Sequence, residues 1–477
     1  MPSIAVVASS RAVISGRLTS ATIVISNTTG KINAVFDSVI PASEFPAGTP
    51  YTDYSPYVLL PGLVDAHVHL NEPGRTEWEG FYTGTQAAAF GGVTTVIDMP
   101  LNAIPPTTTV ANLNEKIKAA TGKCWVDVGF YGGIIPGNDA DLKGLVDAGV
   151  RGFKGFLIDS GVDEFPAVAQ DDIHKAMAAL ADEATTLMFH AEMVPPITKS
   201  VGDETQTSAP PAAPAGPLEA YSTFLASRPS EFETCAIERI LSMAHLAPNL
   251  QLHIVHLSAM EAIPILREAR ANGVKITAET CFHYLSLAAE QVRDGDTRHK
   301  CCPPIRSQLN QDGLWEELEK HASDGVIKTV QLPSHIPGNC HAESGKEEKG
   351  DFFSAWGGIS SPPQGPDPPP NDENTRNSLQ DVVRLCCANT AAQVGLESHK
   401  GDLRVGFDAD ICVFDDSAEW VVEPSTMLFR NKCSPYQGKT LRGMVRETWL
   451  RGERIFSRNA GFASKSPAGK LLLEKRV

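Results

Sequence analysis

The sequence predicts an α/β fold, in which a parallel sheet covered by helices is combined with a small β-rich domain built from both chain ends. The middle of the chain alternates between apolar segments rich in β-branched residues and segments whose apolar side chains have helical spacing, which is typical of β–α units. Both ends contain strand-like segments separated by turn residues. Three apolar segments in the middle end in, or just before, a histidine, which indicates a shared site.

The two chain ends are predicted to form short strands. Their strand-like segments are residues 22–25, 32–36, 410–414 and 447–450. β-Branched and aromatic residues favour strands, and the Asn, Asp and Gly residues near these segments favour turns. We therefore expect residues 1–56 and 401–477 to form one small sheet domain, and residues 57–400 to form a larger domain.

The larger domain is predicted to alternate strands and helices. Expected strands are residues 93–97, 125–130, 152–157, 186–190, 252–257 and 274–279. Expected helices are within residues 107–120, 139–146, 170–184, 232–245 and 260–272. This order predicts parallel strands covered by helices, in a sheet that is either closed or doubly wound. We expect residues 201–217 to form a surface loop, and residues 361–377, which are rich in proline and poor in apolar side chains, to be disordered.

Composition narrows the possible partners. The 477 residues have a formal net charge of -16, which argues against nucleic acid or an anionic membrane as a partner, because such binding needs clustered Lys and Arg. A small, roughly neutral ligand fits better. No apolar run reaches the ~18 residues of a membrane span, and the N-terminus resembles no signal peptide. We therefore expect a cytoplasmic protein whose ten cysteines are reduced thiols.

Four histidines are candidate metal ligands. His67 and His69 follow an apolar run two positions apart, so in a strand their side chains point the same way and could share a metal ion. His190 and His256 end two further strand-like segments, and in a barrel the strand ends form the active-site face. His253 lies an odd number of residues from His256, so we expect it to face the other way. Taken singly, each could equally be an ordinary core or surface histidine.

Lys154 is an unusual residue for its predicted strand. It lies between Phe153 and Phe156, and a lysine among apolar strand residues is costly unless it is paired or neutralised. An ammonium group cannot bind a metal. A carbamate formed on its amine by carbon dioxide would be a carboxylate able to bridge two cations. The alternative is a lysine whose charged end extends to solvent.

Eight blocks of sequence carry a resemblance to a known family. They are residues 62–76, 91–102, 152–156, 189–192, 255–258, 279–285, 300–306 and 401–410. Their content and order resemble the cyclic amidohydrolases, which include dihydroorotases, hydantoinases and allantoinases, and the allantoinase branch is the most similar. The resemblance spans about residues 10 to 456. It implies a (β/α)8 barrel of the TIM type that carries a small β-sandwich domain built from both termini.

The resemblance also implies a site with two divalent metal ions, usually zinc. His67, His69 and one side of carbamylated Lys154 would hold the first ion, and the other side of that carbamate would hold the second ion together with His190 and His256. A water between the ions would lose a proton and attack the cyclic amide, whose carbonyl a metal polarises. For allantoin the product would be allantoate.

The implied substrate is a small ureide. By position in the family, Asn102, Cys281 and Cys302 would contact it, although all three could be ordinary loop residues. Asn71 stands where a dihydroorotase, whose substrate is a carboxylate, would have an arginine, so an uncharged ureide is favoured. A dihydropyrimidinase, hydantoinase or dihydroorotase activity is the alternative. The family analogy further implies a homo-oligomer, commonly a tetramer.

One family residue is missing. Members have an aspartate after the last barrel strand that binds the first metal and transfers a proton, but here Ser334 takes that position. A serine provides no carboxylate, and the nearest acids, Asp324 and Glu343, do not match the position. The chain could therefore be a catalytically impaired homologue or a non-catalytic scaffold. With residues 361–377, this departure also suggests divergence or a local error in reading the coding sequence, which sequencing the transcript would test.

Overall fold

The structure is a computed structural model that describes residues 3–195, 216–321, 324–331, 378–463 and 466–476. Its strands are β1 (Ile4–Ile14), β2 (Arg17–Ser26), β3 (Ile32–Phe36), β4 (Tyr51–Asp53), β5 (Val58–Pro61), β6 (Leu63–Val68), β7 (Val93–Asp98), β8 (Asp127–Phe130), β9 (Gly132–Gly133), β10 (Phe153–Phe156), β11 (Thr186–His190), β12 (Gln251–Ile254), β13 (Ile276–Cys281), β14 (Ile327–Gln331), β15 (Ile411–Val421), β16 (Thr440–Leu450), β17 (Glu453–Ser457) and β18 (Gly461–Phe462).

Along the chain, most helices connect one parallel strand to the next. They are α1 (Phe81–Phe90), α2 (Val110–Ala120), α3 (Leu142–Asp147), α4 (Gln170–Leu180), α5 (Tyr221–Ala226), α6 (Ser230–Met243), α7 (Ala262–Ala271), α8 (Phe282–Ser286), α9 (Gln308–Lys320), α10 (Leu379–Val383) and α11 (Asn389–Gln393). No helix within the described ranges has the length and apolar character needed to cross a bilayer.

One sheet is built from both chain ends, as the sequence predicts. Its strands run in the order β18-β17-β16-β15-β5-β1-β2-β3, and β4 pairs with β1. β5 is the junction, because it pairs in parallel with β1 and antiparallel with β15, where Leu60 lies opposite Cys412. The N-terminal part of this sheet therefore extends through Pro61, past the predicted limit at residue 56.

The remaining strands form the barrel. β6, β7 and β8 pair in parallel, and β9 to β14 form a second parallel set. β8 and β9 are separated only by Tyr131 and together make the third barrel strand, so the described residues supply eight strands. The predicted closed α/β barrel is thus confirmed, and the alternative of a doubly wound sheet is wrong.

The C-terminal segment returns to the barrel wall. Leu471 pairs in parallel with Val128 of β8, and the backbone N–H groups of Val128 and Leu472 donate 2.8 Å hydrogen bonds to Lys470 and Val128 respectively. Further along, the Arg476 guanidinium donates to the carbonyl of Arg151, just before β10, at 2.7 Å. The segment therefore lies along the seam between the third and fourth barrel strands.

A buried charge cluster joins the barrel to the sheet. The Lys400 ammonium lies 2.9 Å from Asp127 of β8, and 3.2 Å and 2.7 Å from Asp408 and Asp410, which precede β15. Arg451, in the turn between β16 and β17, also pairs with Asp127. The three carboxylates lie close enough together to hold a metal ion, but the lysine already occupies the space between them.

Three predictions concern residues that the structure leaves undescribed in whole or in large part. Ser334 and the proline-rich residues 361–377 both lie outside the described residues, as does most of the predicted loop 201–217.

Candidate functional site

The four predicted histidines lie close together at the ends of barrel strands. His67 belongs to β6, and its ring centroid lies 5.6 Å from that of His69 and 5.5 Å from that of His256. His190 ends β11, with its ring 4.7 Å from His256. His67, His190 and His256 are buried, whereas His69 is half-buried. The structure therefore brings all four predicted ligands into one cluster.

Lys154 of β10 lies inside this cluster. Its side chain is fully buried, and its Nζ is 3.4 Å from Nε2 of His67 and 5.0 Å from the ring centroid of Phe156. Burial lowers the pKa of Lys154 to about 7, because the interior solvates an ammonium poorly. The amine is thus partly neutral near pH 7, and the alternative of a lysine reaching solvent is wrong.

Glu279 of β13 supports the first half of the cluster, which consists of His67 and His69. It contacts Nδ1 of His67, and its other carboxylate oxygen lies 3.2 Å from Nε2 of His253. Burial alone would raise the pKa of Glu279, but the nearby histidines lower it overall, so the group is an ionised acceptor. The prediction that His253 faces away is wrong, since the positive φ of 41° at His256 breaks the strand alternation between the two residues.

Glu192 supports the second half of the cluster, which consists of His190 and His256. Its carboxylate lies 2.6 Å from Nε2 of His190 and 2.6 Å from the Arg228 guanidinium. Burial opposes ionisation of Glu192, but the positive charge of Arg228 and the hydrogen bond with His190 keep its pKa at about 2. Sequence reasoning singled out neither Glu192 nor Glu279, although each lies within a block that resembles the family.

The electrostatics favour neutral imidazoles. Burial lowers the pKa of His67 to about 4, and it lowers the pKa values of His69, His190 and His256 as well. A neutral ring is the form that binds a metal ion. A carboxylate that holds one ring nitrogen while the other faces the site is the usual support of a metal-binding histidine. The donor set thus fits divalent cations.

Asp98 and Lys116 support the loop that carries His69. Asp98 ends β7, and its carboxylate accepts a hydrogen bond from the backbone of Leu70 at 2.7 Å. Lys116 of α2 donates to that carboxylate at 2.7 Å and to the carbonyl of Met99 at 2.8 Å. Both charged side chains are buried, so this ion pair fixes the loop against the strand end.

The three residues predicted to contact the substrate lie in different surroundings. Asn102 has a positive φ of 70°, and its amide nitrogen lies 3.3 Å from Nδ1 of His69. Cys281 ends β13 and is buried, which raises the pKa of its thiol. Cys302 is half-buried in the loop that precedes α9. Asn102 thus contacts the histidine cluster, and the substrate-binding roles of all three residues stay predictions.

Known proteins match this chain over most of its length. Models of the amidohydrolase family match residues 58–292 and residues 372–456. The allantoinase of Saccharomyces cerevisiae is 48% identical over 98% of this chain and 99% of its own, and the allantoinase of Streptomyces avermitilis is 46% identical over 93% of each. The L-hydantoinase (dihydropyrimidinase) from Arthrobacter aurescens has a similar structure, with a TM-score of 0.82, 25% identity and coverage of 98% of this chain and 99% of that one.

Proposed function

Because this chain belongs to the amidohydrolase family, we propose that it is an enzyme that hydrolyses the ring amide of allantoin to give allantoate. One observation carries the proposal. A chain that is 48% identical to an allantoinase over 98% of its length brings four histidines and a buried lysine together at the ends of its barrel strands. The family is metal-dependent, and the cluster offers the donors that such chemistry needs.

We further propose two zinc ions as the cofactor. His67 and His69 would hold one ion and His190 and His256 the other, with Lys154 between them as a carbamate. A buried amine whose pKa is about 7 has the neutral form that can add to carbon dioxide. When bound, such ions supply Lewis acidity that polarises a carbonyl and makes water easier to deprotonate.

The chain's own polar side chains would bind and orient the ureide. The Asn102 amide, beside His69, can hydrogen-bond a ring carbonyl or N–H group. The buried Oδ1 of Asn71 has no hydrogen-bond partner among the described residues, so it can accept an N–H group of a neutral ring. We also assign Cys281 and Cys302 to substrate contact. These groups suit an uncharged ligand better than the carboxylate of dihydroorotate.

Ser334 is the one position of the proposed site at which this chain departs from the family. In the family an aspartate there transfers the proton from water to the leaving nitrogen, and general acid–base groups contribute about 100- to 10,000-fold to rate. We therefore expect this chain to turn over slowly and Ser334→Asp to raise its allantoin turnover by that order. Ser334→Asn is the matched control, because asparagine has a shape similar to that of aspartate but no carboxylate. It should give no rise in allantoin turnover.

A substrate panel tests the whole proposal. The zinc-loaded chain and both variants are assayed with allantoin, hydantoin, dihydrouracil and dihydroorotate, and allantoate is identified as the product. Ring opening of dihydroorotate or dihydrouracil without allantoin would overturn our choice of substrate. A protein that binds no metal and opens no ring, even as Ser334→Asp, would instead be a scaffold. We also propose a cytoplasmic location and, by analogy with the family, a homotetramer.

A further inference from the structure

Glu279 lies beneath the histidine cluster and touches both halves of it. The side chain is fully buried. Its Oε1 accepts hydrogen bonds from the ring of His67 and, at 3.3 Å, from the backbone N–H of His256. Its Oε2 lies 3.2 Å from the ring of His253 and 3.2 Å from the Gln331 amide. One carboxylate is therefore shared by groups on β6, β14 and the β12 region.

The contact with His67 selects which ring nitrogen is available. An ionised carboxylate only accepts hydrogen bonds, so Nδ1 of His67 carries the proton and donates it to Glu279. Nε2 then keeps its lone pair, and this is the nitrogen that lies 3.4 Å from Lys154. Without the carboxylate, the ring could take the other tautomer or rotate.

The contact with His256 supports a strained backbone. His256 has a φ of 41°, in the left-handed region that residues other than glycine seldom adopt and that persists only when the surroundings hold it. The hydrogen bond from its N–H group to Glu279 is one such restraint. Since the side-chain direction follows from this backbone, the carboxylate also places the His256 ring.

Glu192 provides a contrast within the same site. Its carboxylate contacts His190 and Arg228, at 2.6 Å each. These contacts support a ligand of the second half only, whereas those of Glu279 reach both. The two acids are equally buried, so they form a matched pair that differs in what it supports.

We propose that Glu279 is the positioning residue shared by both metal sites, whose loss weakens the binding of both ions. This inference rests on the proposed function, which assigns His67 to one ion and His256 to the other. Loss of a carboxylate behind a ligating histidine typically weakens metal affinity by about 10- to 100-fold. Glu279→Gln should therefore weaken two ions by that order, and Glu192→Gln only one.

The experiment measures zinc binding to the full chain. Wild type, Glu279→Gln, Glu279→Asp and Glu192→Gln are stripped of metal and titrated with zinc against a chromophoric chelator, and zinc per chain is counted by mass spectrometry. Circular dichroism of the metal-free proteins checks that each variant folds. Glu279→Asp keeps the charge with a shorter reach, so it should weaken both ions less than Glu279→Gln does, and it serves if Glu279→Gln fails to fold.

The outcomes separate this inference from the proposed function. Two ions in wild type, both weakened in the Glu279 variants and one weakened in Glu192→Gln, support it. Two ions in wild type with only one of them, or neither, weakened by Glu279→Gln or Glu279→Asp would overturn the inference and leave the proposed function standing. A wild-type chain that binds no zinc would overturn the two-metal site itself.

Discussion

The fully buried amine of Lys154 is the group that we propose joins the two halves of the cluster. Its Nζ lies 3.4 Å from Nε2 of His67, and it forms no ion pair with an acid of the described residues. Burial keeps its pKa near 7, far below that of a solvent-exposed lysine. Such an environment disfavours the ammonium form, and the neutral amine is the form that would add to carbon dioxide, with the two proposed cations balancing the negative charge of the resulting carbamate.

Replacing this lysine should remove metal. In Lys154→Met, a side chain of similar length lacks the amine, so no carbamate can form and each ion keeps only its histidines. We expect zinc content to fall from two ions per chain to one or fewer, as measured by mass spectrometry. Lys175→Met, which changes an exposed lysine on α4, is the control and should keep both ions. A Lys154→Met protein with two tightly bound ions would contradict the role.

Sequence reasoning found the metal-binding candidates because their pattern is local. The spacing of His67 and His69, and the strand-end positions of His190 and His256, can be read without a structure. Glu279 was missed because a single acid in an apolar strand has no characteristic spacing, and its importance appears only when β6, β12 and β13 are adjacent. Prediction of the His253 direction failed because the positive φ at His256 leaves no trace in the sequence.

At the scale of elements, helix α2 connects the barrel's outer layer to the site. Thr109 caps its first turn by accepting a hydrogen bond from the backbone of Asn112, a common helix start. Leu113, Lys116 and Ala120 form its buried face at helical spacing. Lys116 therefore points inward because of its place on the helix, and it meets Asp98 at the end of β7.

Removing the charge of Lys116 should be costly, because it leaves a buried carboxylate unpaired. We expect Lys116→Met to lower the free energy of unfolding by about 3–5 kcal/mol, measured by urea denaturation of the metal-free protein at pH 7. The double variant Lys116→Met with Asp98→Asn removes both charges and should recover part of this loss. Asp98→Asn is also measured alone, and a double-variant loss equal to the sum of the two single-variant losses would show that the pair is not coupled.

The boundaries of elements were predicted well where composition changes sharply and poorly where it does not. The expected strands at residues 93–97, 152–157 and 186–190 lie within a residue or so of β7, β10 and β11. The apolar run at residues 58–64 gives no sign that it contains two strands in different sheets. The structure divides it at Gly62, where a Cβ atom would lie 2.2 Å from the Thr94 hydroxyl, so a residue without a side chain is needed at the crossing.

At the scale of the whole molecule, the sheet and the barrel are joined by the charge cluster around Lys400. The lysine pairs with acids from both parts. Burial would raise the pKa of Asp408, but Lys400 and Lys31 lower it overall. We propose that residues 57–400 form one domain and residues 1–56 with 401–477 the other, to whose sheet β5 also contributes. The cluster would then be a contact between them.

The stability effect of Lys400 should depend on pH. Since the folded-state pKa of Asp408 is lowered, its contribution is present above its unfolded pKa and is lost as the pH falls through the folded value. We expect Lys400→Met to lower the free energy of unfolding by about 3–5 kcal/mol at pH 7. The difference from wild type should narrow below about pH 4, as the pH falls through the lowered pKa of Asp408. Urea midpoints at pH 7, 5, 4 and 3, with Lys175→Met as control, measure this, and a constant difference would contradict it.

The overall architecture was predictable because strand–helix alternation and β-rich ends are properties of long stretches of sequence. The path of the last residues was not predicted. Leu471 and Leu472 lie within a short segment with no clear period, and only the structure shows that their backbone pairs with β8. Pairing of this kind depends on an available strand edge elsewhere in the fold, which a local pattern does not contain.

The position of β5 also sets the order in which a newly made chain can complete its sheet. β5 ends at Pro61, and its partner β15 begins at Ile411, so the ribosome must make the entire barrel between them. At roughly 5–20 residues per second, this takes on the order of tens of seconds. Throughout that time one edge of β5 is open, and an open strand edge can pair with other chains. Aggregation during expression should therefore start at this N-terminal sheet. Slower synthesis would lengthen the time for which the edge of β5 is open, and a chaperone that prevents aggregation would be expected to bind there.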